Sequence, residues 1–508
     1  MFVRKKKNNS GSVSIQIIDK SNGYRVVQTI GSSSSPEKIE QLWQRGLDIV
    51  HGATQGQQQL FSTKVETDLA IENFVEDLSN AHIRTIGPEL IFGTVFDRLG
   101  FSAIKEELFR HIVIARLAYP TSKLKTADYL YRYKGITVDV QTIYRFLDNL
   151  HSKHKDEVER IAYEYTKRTL RNISVVFYDM TTLYFEAEDE DDLRKIGFSK
   201  DGKFQKPQIM LGLLVGERGL PIGYDIFEGN TFEGHTLLPT LEKIQKKYIF
   251  GKPVVIADAG LLSKENIKKL REEQYRFIIG GRIKNENAEM QKQILESAHS
   301  MKDGDSFILK KTDGTRLVVT YSDKRAKKDV YNREKGLRKL RKRVKTGRLT
   351  KDSINNRGYN KFLTLEGEVK VSVDEERVEL EKRWDGLKGY VTNSRFSAKR
   401  ITENYTQLWQ IEKAFRISKT DLKVRPIHHY KKKRIEAHIC IAFVAYAIYK
   451  EVEIHLQKHN VEMSPRRASE LTHNMYELEY MLPNAKEHKR KTLRMDEEQQ
   501  MLYDTIHM

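Results

Sequence analysis

Asp179, Asp258 and Glu412 are the residues whose type and placement point most directly to chemistry. Asp179 falls at the end of the β-branched, apolar run 173–180, and Asp258 ends the run 253–258. Short runs of this kind read as buried strands. An aspartate ending a buried strand is expensive to desolvate unless it is paired or holds a cation. Open α/β sheets also place their ligand sites at strand C-termini. Taken singly, either aspartate reads equally well as a cap on the turn that follows. Glu412 lies in the stretch 403–419, which contains no Pro or Gly and reads as helix. Tyr405, Glu412 and Lys419 recur every seven residues, so they share one helical face. Leu408 and Phe415 lie near that stripe and Arg416 beside it; a core stripe carrying one stray glutamate is the alternative. Together, two aspartates and a glutamate suit hard Mg²⁺ ions, the oxygen-ligand chemistry of phosphoryl transfer. Two such ions ~4 Å apart activate a water or 3′-OH and stabilise the leaving oxygen.

The composition narrows the partner. The 508 residues carry 89 Lys and Arg against 70 Asp and Glu, a formal charge of +19. That excess favours a polyanion, either nucleic acid or an anionic membrane surface. The longest apolar run, 439–449, is shorter than the ~20 residues a span requires and reads as a buried core helix. The basic start is followed by no apolar segment, so no secretory signal is read. One cysteine, Cys440, excludes an intrachain disulfide framework and a multi-cysteine zinc site, and suits a reducing cytoplasm.

The elements that must position these residues can be read along the chain. Residues 12–31 read as a hairpin turning at Ser21, Asn22 and Gly23. Pro36 opens a helix to about Val50, followed by a Gly- and Gln-rich linker at 52–59. Residues 86–170 read as helical, with Pro88 starting one helix and Ser102 capping another. Two short helices, 123–133 and 140–150, have the size and spacing of a helix-turn-helix, with Lys125 and Arg145 on basic faces; an ordinary helical hairpin is the alternative. From 173 to 280 the order is β-β-β-α-β-α-β, a mixed α/β sheet. Further strands are expected at 306–311, 316–321, 369–373 and 377–380, with a return to the sheet at 389–392. Between them, 324–348 is a helical stretch with 13 Lys or Arg against 2 acids. A long helix starts near Ser397.

With these blocks in view, the sequence resembles insertion-sequence transposases of the DDE type, which have a ribonuclease-H-like core. It is most similar to the group with the Y-x2-R-x3-E-x6-K signature. Here that segment reads Tyr405, Leu408, Glu412, Lys419, so the arginine is replaced. The run 176–182 (VFYDMTT) resembles the family's first-aspartate strand. Gly229 to Thr231 and 256–260 (IADAG) resemble its second block. Asp385, Gly386 and 391–393 resemble the re-entry to the core, and 422–428 with 434–438 the segment after the glutamate. The gap from Asp258 to Glu412 is about twice that from Asp179 to Asp258, as expected when an insertion interrupts the core.

The resemblance implies metal-ligand and catalytic roles for Asp179, Asp258 and Glu412, with two Mg²⁺ ions for which Mn²⁺ substitutes. It implies DNA-phosphate contacts for Tyr405 and Lys419, with Arg416 as a substitute for the missing arginine. Arg338, Lys339, Arg341, Lys342 and Arg343 would grip DNA from the basic helix. Trp384 would stack on a flipped or unpaired base; the reading as a core aromatic weighs more for it. His428, His429 and His438 read as packing residues. The acidic run 186–192 reads as a solvated loop, with a metal-proximal carboxylate as the alternative. Gly280 and Gly281 lack the surroundings of a nucleotide-binding loop.

The expected architecture is α/β: a ribonuclease-H-like mixed sheet flanked by helices, with a β-rich insertion and a helical N-terminal DNA-binding region. Its parts are an N-terminal hairpin and helix (1–80), a helical DNA-binding region (81–165), a core in two parts (166–282 and 396–455), a basic β-rich insertion (283–395) and a C-terminal helical region (456–508). The expected function is binding of terminal inverted repeats, cutting at the ends and joining of the 3′-OH to target DNA, with a homodimer synapsing the ends and no membrane partner. The expected location is the nucleoid of a bacterial cytoplasm. The rivals are a metal-dependent nuclease that does not join strands and a catalytically silent DNA-binding derivative.

Overall fold

The computed structural model describes residues 1–21, 23–76, 78–248, 251–261, 263–346, 349, 353–355, 358–366, 370–481 and 487–508. The expectations at Asn22, Arg348 and Val369 lie outside the described residues. The chain divides into two compact units, Met1–Arg84 with Glu477–Leu493, and Thr85–Tyr476 with Arg494–Met508.

In the first unit, strands Phe2–Lys7, Val13–Asp19 and Arg25–Ser33 form an antiparallel sheet. Its core is built on the apolar alternation of the middle strand, where Ile15, Ile17 and Ile18 are buried. The lysines at 5–7 mark an edge strand, a placement that discourages pairing with other chains. The helix Pro36–Glu76 runs through the expected linker at 52–59. Gln is a good helix former, and a Gly costs only ~1 kcal/mol relative to Ala, too little to stop a helix this long. The strands Tyr476–Tyr480 and Lys489–Thr492 pair antiparallel. The expected all-helical C-terminal region is thereby corrected: residues 477–480 alternate with period two, which suits a strand.

In the second unit, residues 86–170 are helical, as expected. Lys123–Tyr129 is N-capped by Ser122 and Val140–Asn149 by Asp139, each side chain accepting a backbone N–H. Ser102 is not a cap. Gly100, at φ 95°, ends the preceding helix, Ser102 lies inside the turn Phe101–Ala103, and the helix Glu107–Ala118 begins after Glu106 without a side-chain cap. The apolar run 439–449 is the buried middle of the helix Lys432–Lys458.

Among the described residues, the sheet of this unit has eight strands: β1 (Val175–Tyr184), β2 (Gln208–Val215), β3 (Pro221–Glu228), β4 (Val254–Ala257), β5 (Arg276–Gly281), β6 (Ser306–Lys310), β7 (Arg316–Tyr321) and β8 (Leu387–Thr392). Their order is β6-β7-β8-β5-β4-β1-β2-β3. β1, β4 and β5 run parallel; the remaining pairings are antiparallel. Three antiparallel strands followed by two parallel ones, in the order β3-β2-β1-β4-β5, is the expected ribonuclease-H-like arrangement. Strands assigned to the insertion, β6 and β7, instead extend this sheet through β8. Leu317 and Val319 of β7 are buried with Val391 and Leu387 of β8 in one hydrophobic cluster, against which Phe307 and Leu309 of β6 pack. The helix Asp323–Lys345 lies over a small separate core of Leu337, Leu340, Phe362, Leu363, Val371 and Val378. Residues 377–380, expected as strand, lie in the helix Glu375–Lys382. Asp374 caps it by accepting the Arg377 N–H at 3.0 Å, which outweighs the local alternation.

Candidate active site

Register brings the two aspartates together. β4 ends at Ala257, which pairs with Tyr178 of β1, so Asp258 and Asp179 both follow the last parallel pair. Adjacent strands lie ~4.8 Å apart. Side chains alternate across a sheet. Val175 and Phe177 of β1 and Val254 and Ile256 of β4 enter one hydrophobic cluster, while Val176, Tyr178, Val255 and Ala257 enter the other. Asp179 and Asp258 therefore continue the first set and emerge on the same face. Asp179 is not at the end of its strand, as the sequence suggested. β1 runs on to Tyr184 because its antiparallel partner β2 continues where β4 stops.

The helix carrying Glu412 packs on that same face. Ile401, Tyr405, Ile411, Ala414 and Phe415 join the cluster of Phe177 and Ile256. The expected continuous helix is broken: Ala398–Thr406 ends, and Trp409–Arg416 begins after Leu408. Leu408 and Gln410 donate to carbonyls three residues back, a tight turn that resets the helical phase. Leu408, standing where the family signature has arginine, is buried in this core. The Tyr405 hydroxyl donates to Asp258 Oδ1 at 3.2 Å. Gly280 of β5 makes room for it: a Cβ there would stand 2.6 Å from the hydroxyl oxygen. Glu412 is exposed on the adjacent helix.

The electrostatics converge on the same place. Burial pushes the Asp179 carboxyl up to about 6; Lys200 opposes that rise, while Asp258 and Glu233 add to it. Burial and then the neighbouring carboxylates, Asp258 foremost and Glu412, hold the Tyr405 phenol protonated. Lys388 is lowered by burial and by Arg325, against the pull of Asp258 and Glu412, and its ammonium lies 4.5 Å from the Tyr405 ring centroid. Two residues that sequence reasoning missed belong here. Lys200 stands 2.9 Å from Glu233 and 4.0 Å from Asp179. Glu233 also faces the Asp258 loop, because a Cβ on Gly260 would lie 3.1 Å from its Oε2. The signal for Glu233 was its position two residues beyond the Gly229–Thr231 block; Lys200 had none.

The other expected residues separate into groups. Lys419 is tied to Asp201 at 3.3 Å, and Arg425 pairs with the same carboxylate. Burial lowers the Lys419 ammonium against the pull of Asp201. Arg416 is exposed at the end of its helix. Arg338, Lys339, Arg341, Lys342 and Arg343 are exposed on Asp323–Lys345, and Arg341 is paired with Glu375 at 2.7 Å. Trp384 is 9% exposed and packs in the sheet cluster with Leu387 and Val391. It borders a cavity of about 650 Å³ that reaches Asp258, Tyr405, Lys388, Arg325 and Arg282.

As to a metal, the donor chemistry fits. Asp179 and Asp258 offer carboxylate oxygens on one face, the donor type that hard divalent cations take, and burial raises the Asp179 carboxyl against the pull of Lys200. Among the described residues, no three acidic, histidine or cysteine side chains converge tightly enough to hold an ion.

A family model described as "Transposase DDE domain" matches residues 171–448, more than half of the chain. No curated protein matches the sequence. Among solved structures, the piggyBac transposase synaptic complex with hairpin DNA is similar at 9% identity over 76% of each chain, with a TM-score of 0.39. The Mos1 mariner paired-end complex with Mn is similar at 12% identity over 31% of this chain and 54% of its own, with a TM-score of 0.15. The Drosophila P element transposase strand transfer complex is similar at 13% identity over 70% of this chain and 82% of its own, with a TM-score of 0.20. On the extent of the family match, the chain belongs to the DDE-domain transposases.

Proposed function

We propose that this chain is a DNA transposase that binds the terminal inverted repeats of an insertion sequence, cuts at its ends and joins the 3′-OH to target DNA. The observation that carries this reading is the shared face: Asp179 and Asp258 leave adjacent parallel strands together, and the helix of Glu412 packs beside them. Asp179, Asp258 and Glu412 would hold Mg²⁺, with Mn²⁺ as a substitute. Two bound ions would activate the attacking oxygen and stabilise the leaving one.

The chain's own residues orient and neutralise. Tyr405 fixes the Asp258 carboxylate through its hydroxyl. Lys388 and Arg416 would supply positive charge for DNA phosphates, Lys419 would do so once released from Asp201, and Arg338, Lys339, Lys342 and Arg343 would extend that surface along the basic helix. Residues 1–165 would bind the terminal repeats, and two copies would synapse the two ends. Among the described residues no helix is long and apolar enough to cross a membrane.

The test is strand joining. Purified protein with Mg²⁺ and pre-cut DNA ends is expected to join their 3′-OH groups to a supercoiled target. Nicking without joined products would favour a simple nuclease, and binding without either a silent DNA-binding derivative.

A further inference from the structure

A second site lies away from the carboxylates, in a cavity of about 270 Å³. It sits where the segment before the helix Lys123–Tyr129, the helix Val140–Asn149, the chain 423–429 and the helix Lys432–Lys458 meet. Its buried wall is basic: Arg116, Lys123 and His438 are each 6% exposed. Lys423 and Arg425 also line it, with His428 and His429. Among the described residues no Asp or Glu lines it.

Three polar groups in this wall are orphaned. Among the described residues, the Lys123 ammonium, the Thr121 hydroxyl and His438 Nδ1 are buried without a hydrogen-bond partner. Arg116 makes one long bond, to the Leu422 carbonyl at 3.4 Å. His438 Nε2 lies 3.0 Å from the Val424 carbonyl. A carbonyl only accepts, so Nε2 carries the hydrogen and Nδ1, on a ring that lines the cavity, is left as an acceptor. The cations also oppose one another. Burial with Lys123 and Arg116 holds His429 down to about 3, and burial drops Arg116 to about 10. An unpaired buried charge is among the costliest arrangements in a fold. Among the described residues, the neighbouring Asp201 pairs with Arg425 and Lys419.

We propose that this cavity binds one phosphate group. A phosphate supplies several strong acceptors to Lys123, Arg116 and Thr121 at once. A hydrogen phosphate also carries the O–H that a neutral His438 Nδ1 can accept. The volume leaves room for bridging waters, which take ~30 Å³ each. A single carboxylate would leave Lys123 and Arg116 incompletely neutralised. The group can arrive as free orthophosphate or phosphomonoester, or as a backbone phosphate of bound DNA. Only the second source rests on the transposase reading.

The experiment uses the full, metal-free chain in thermal unfolding, with sodium orthophosphate against chloride at matched ionic strength. Orthophosphate is expected to raise Tm saturably and chloride is not. Lys123→Met is expected to raise Tm in chloride and to weaken phosphate binding by about tenfold or more, as loss of a charge-assisted hydrogen bond requires. Lys423→Gln, at the exposed mouth, keeps the test available should Lys123→Met fail to fold, and is expected to weaken phosphate binding several-fold. If the source is DNA, free phosphate has no effect but Lys123→Met lowers duplex affinity and flattens its salt slope by about 0.9. Phosphate saturation in a protein that binds no DNA would keep this site and remove the transposase reading. No effect of phosphate beyond chloride, with duplex affinity and salt slope unchanged in both variants, would overturn the proposal.

Discussion

The Tyr405 hydroxyl donates to Asp258 Oδ1 at 3.2 Å, linking residues that lie 147 positions apart in the chain. The residue that family resemblance assigns to DNA phosphate therefore acts in this structure on a candidate metal ligand. Partners of this kind hold a ligand's orientation, and their loss typically costs ~10–100-fold in metal affinity or activity. Tyr405→Phe keeps the ring against Tyr390 and Lys388. It is expected to lower Mg²⁺-dependent nicking by about tenfold or more with Tm unchanged. Gly280→Ala, whose Cβ crowds the hydroxyl, is expected to reproduce the defect; steady-state nicking rates and unfolding curves check both.

Asp179 should weaken the metal-free fold at neutral pH. Its carboxyl is raised from 3.8 to about 6 by burial, so the folded state binds its proton more tightly than the unfolded state does. Stability linked to this group is therefore present below pH ~4, and is lost as pH rises through about 6. Asp179→Asn is expected to stabilise the metal-free protein by about 1–2 kcal/mol at pH 7.5, after allowance for partial exposure. The gain should shrink towards zero at pH ~4. Denaturant unfolding at the two pH values measures it.

Asp201 occupies two cations that a DNA phosphate would otherwise meet, Lys419 and Arg425. Asp201→Asn frees both. The expected result is several-fold tighter binding to end DNA and a salt slope steeper by about one to two, at ~0.9 per added phosphate contact. Titrations over a range of salt concentrations read it directly.

The basic helix is expected to behave unevenly along its length. Arg338, Lys339 and Lys342 are exposed, whereas Arg341 is engaged by Glu375. Replacing the first three by Ala is expected to flatten the salt slope by up to about 2.7. Arg341→Ala should change it by less than one. Leu340→Ala acts differently, opening the small core beneath the helix at a cost of ~2–5 kcal/mol. Salt-dependent binding and thermal unfolding separate the two effects.

The strands of the sheet and the two aspartates were legible in sequence because buried parallel strands are short, β-branched and bounded by turn residues. What stayed hidden depended on tertiary pairing. β6 and β7 had the alternation of a separate hairpin, and only their pairing with β8 places them in the main sheet. The seven-residue spacing of Tyr405, Glu412 and Lys419 assumed one helix, and the turn at Leu408 broke its phase. Lys200 and Asp201 sit in an irregular segment with no period to read, yet they set the charge around Asp179 and Lys419. Trp384 went the other way: the core reading that weighed more for it agrees with its burial beside Leu387 and Val391.

The central claim is that Asp179, Asp258 and Glu412 form one catalytic centre. Its most direct test is end nicking by the purified full chain with Mg²⁺, on labelled DNA carrying the ends that flank its own gene. Asp179→Ala, Asp258→Ala and Glu412→Ala are assayed beside it, with DNA binding measured for each. The account predicts nicking at the end junction by the unaltered protein, and its loss by at least a thousandfold (roughly 4 kcal/mol of barrier) in all three variants, while each still binds DNA. Nicking that survives Glu412→Ala or either aspartate substitution would contradict it.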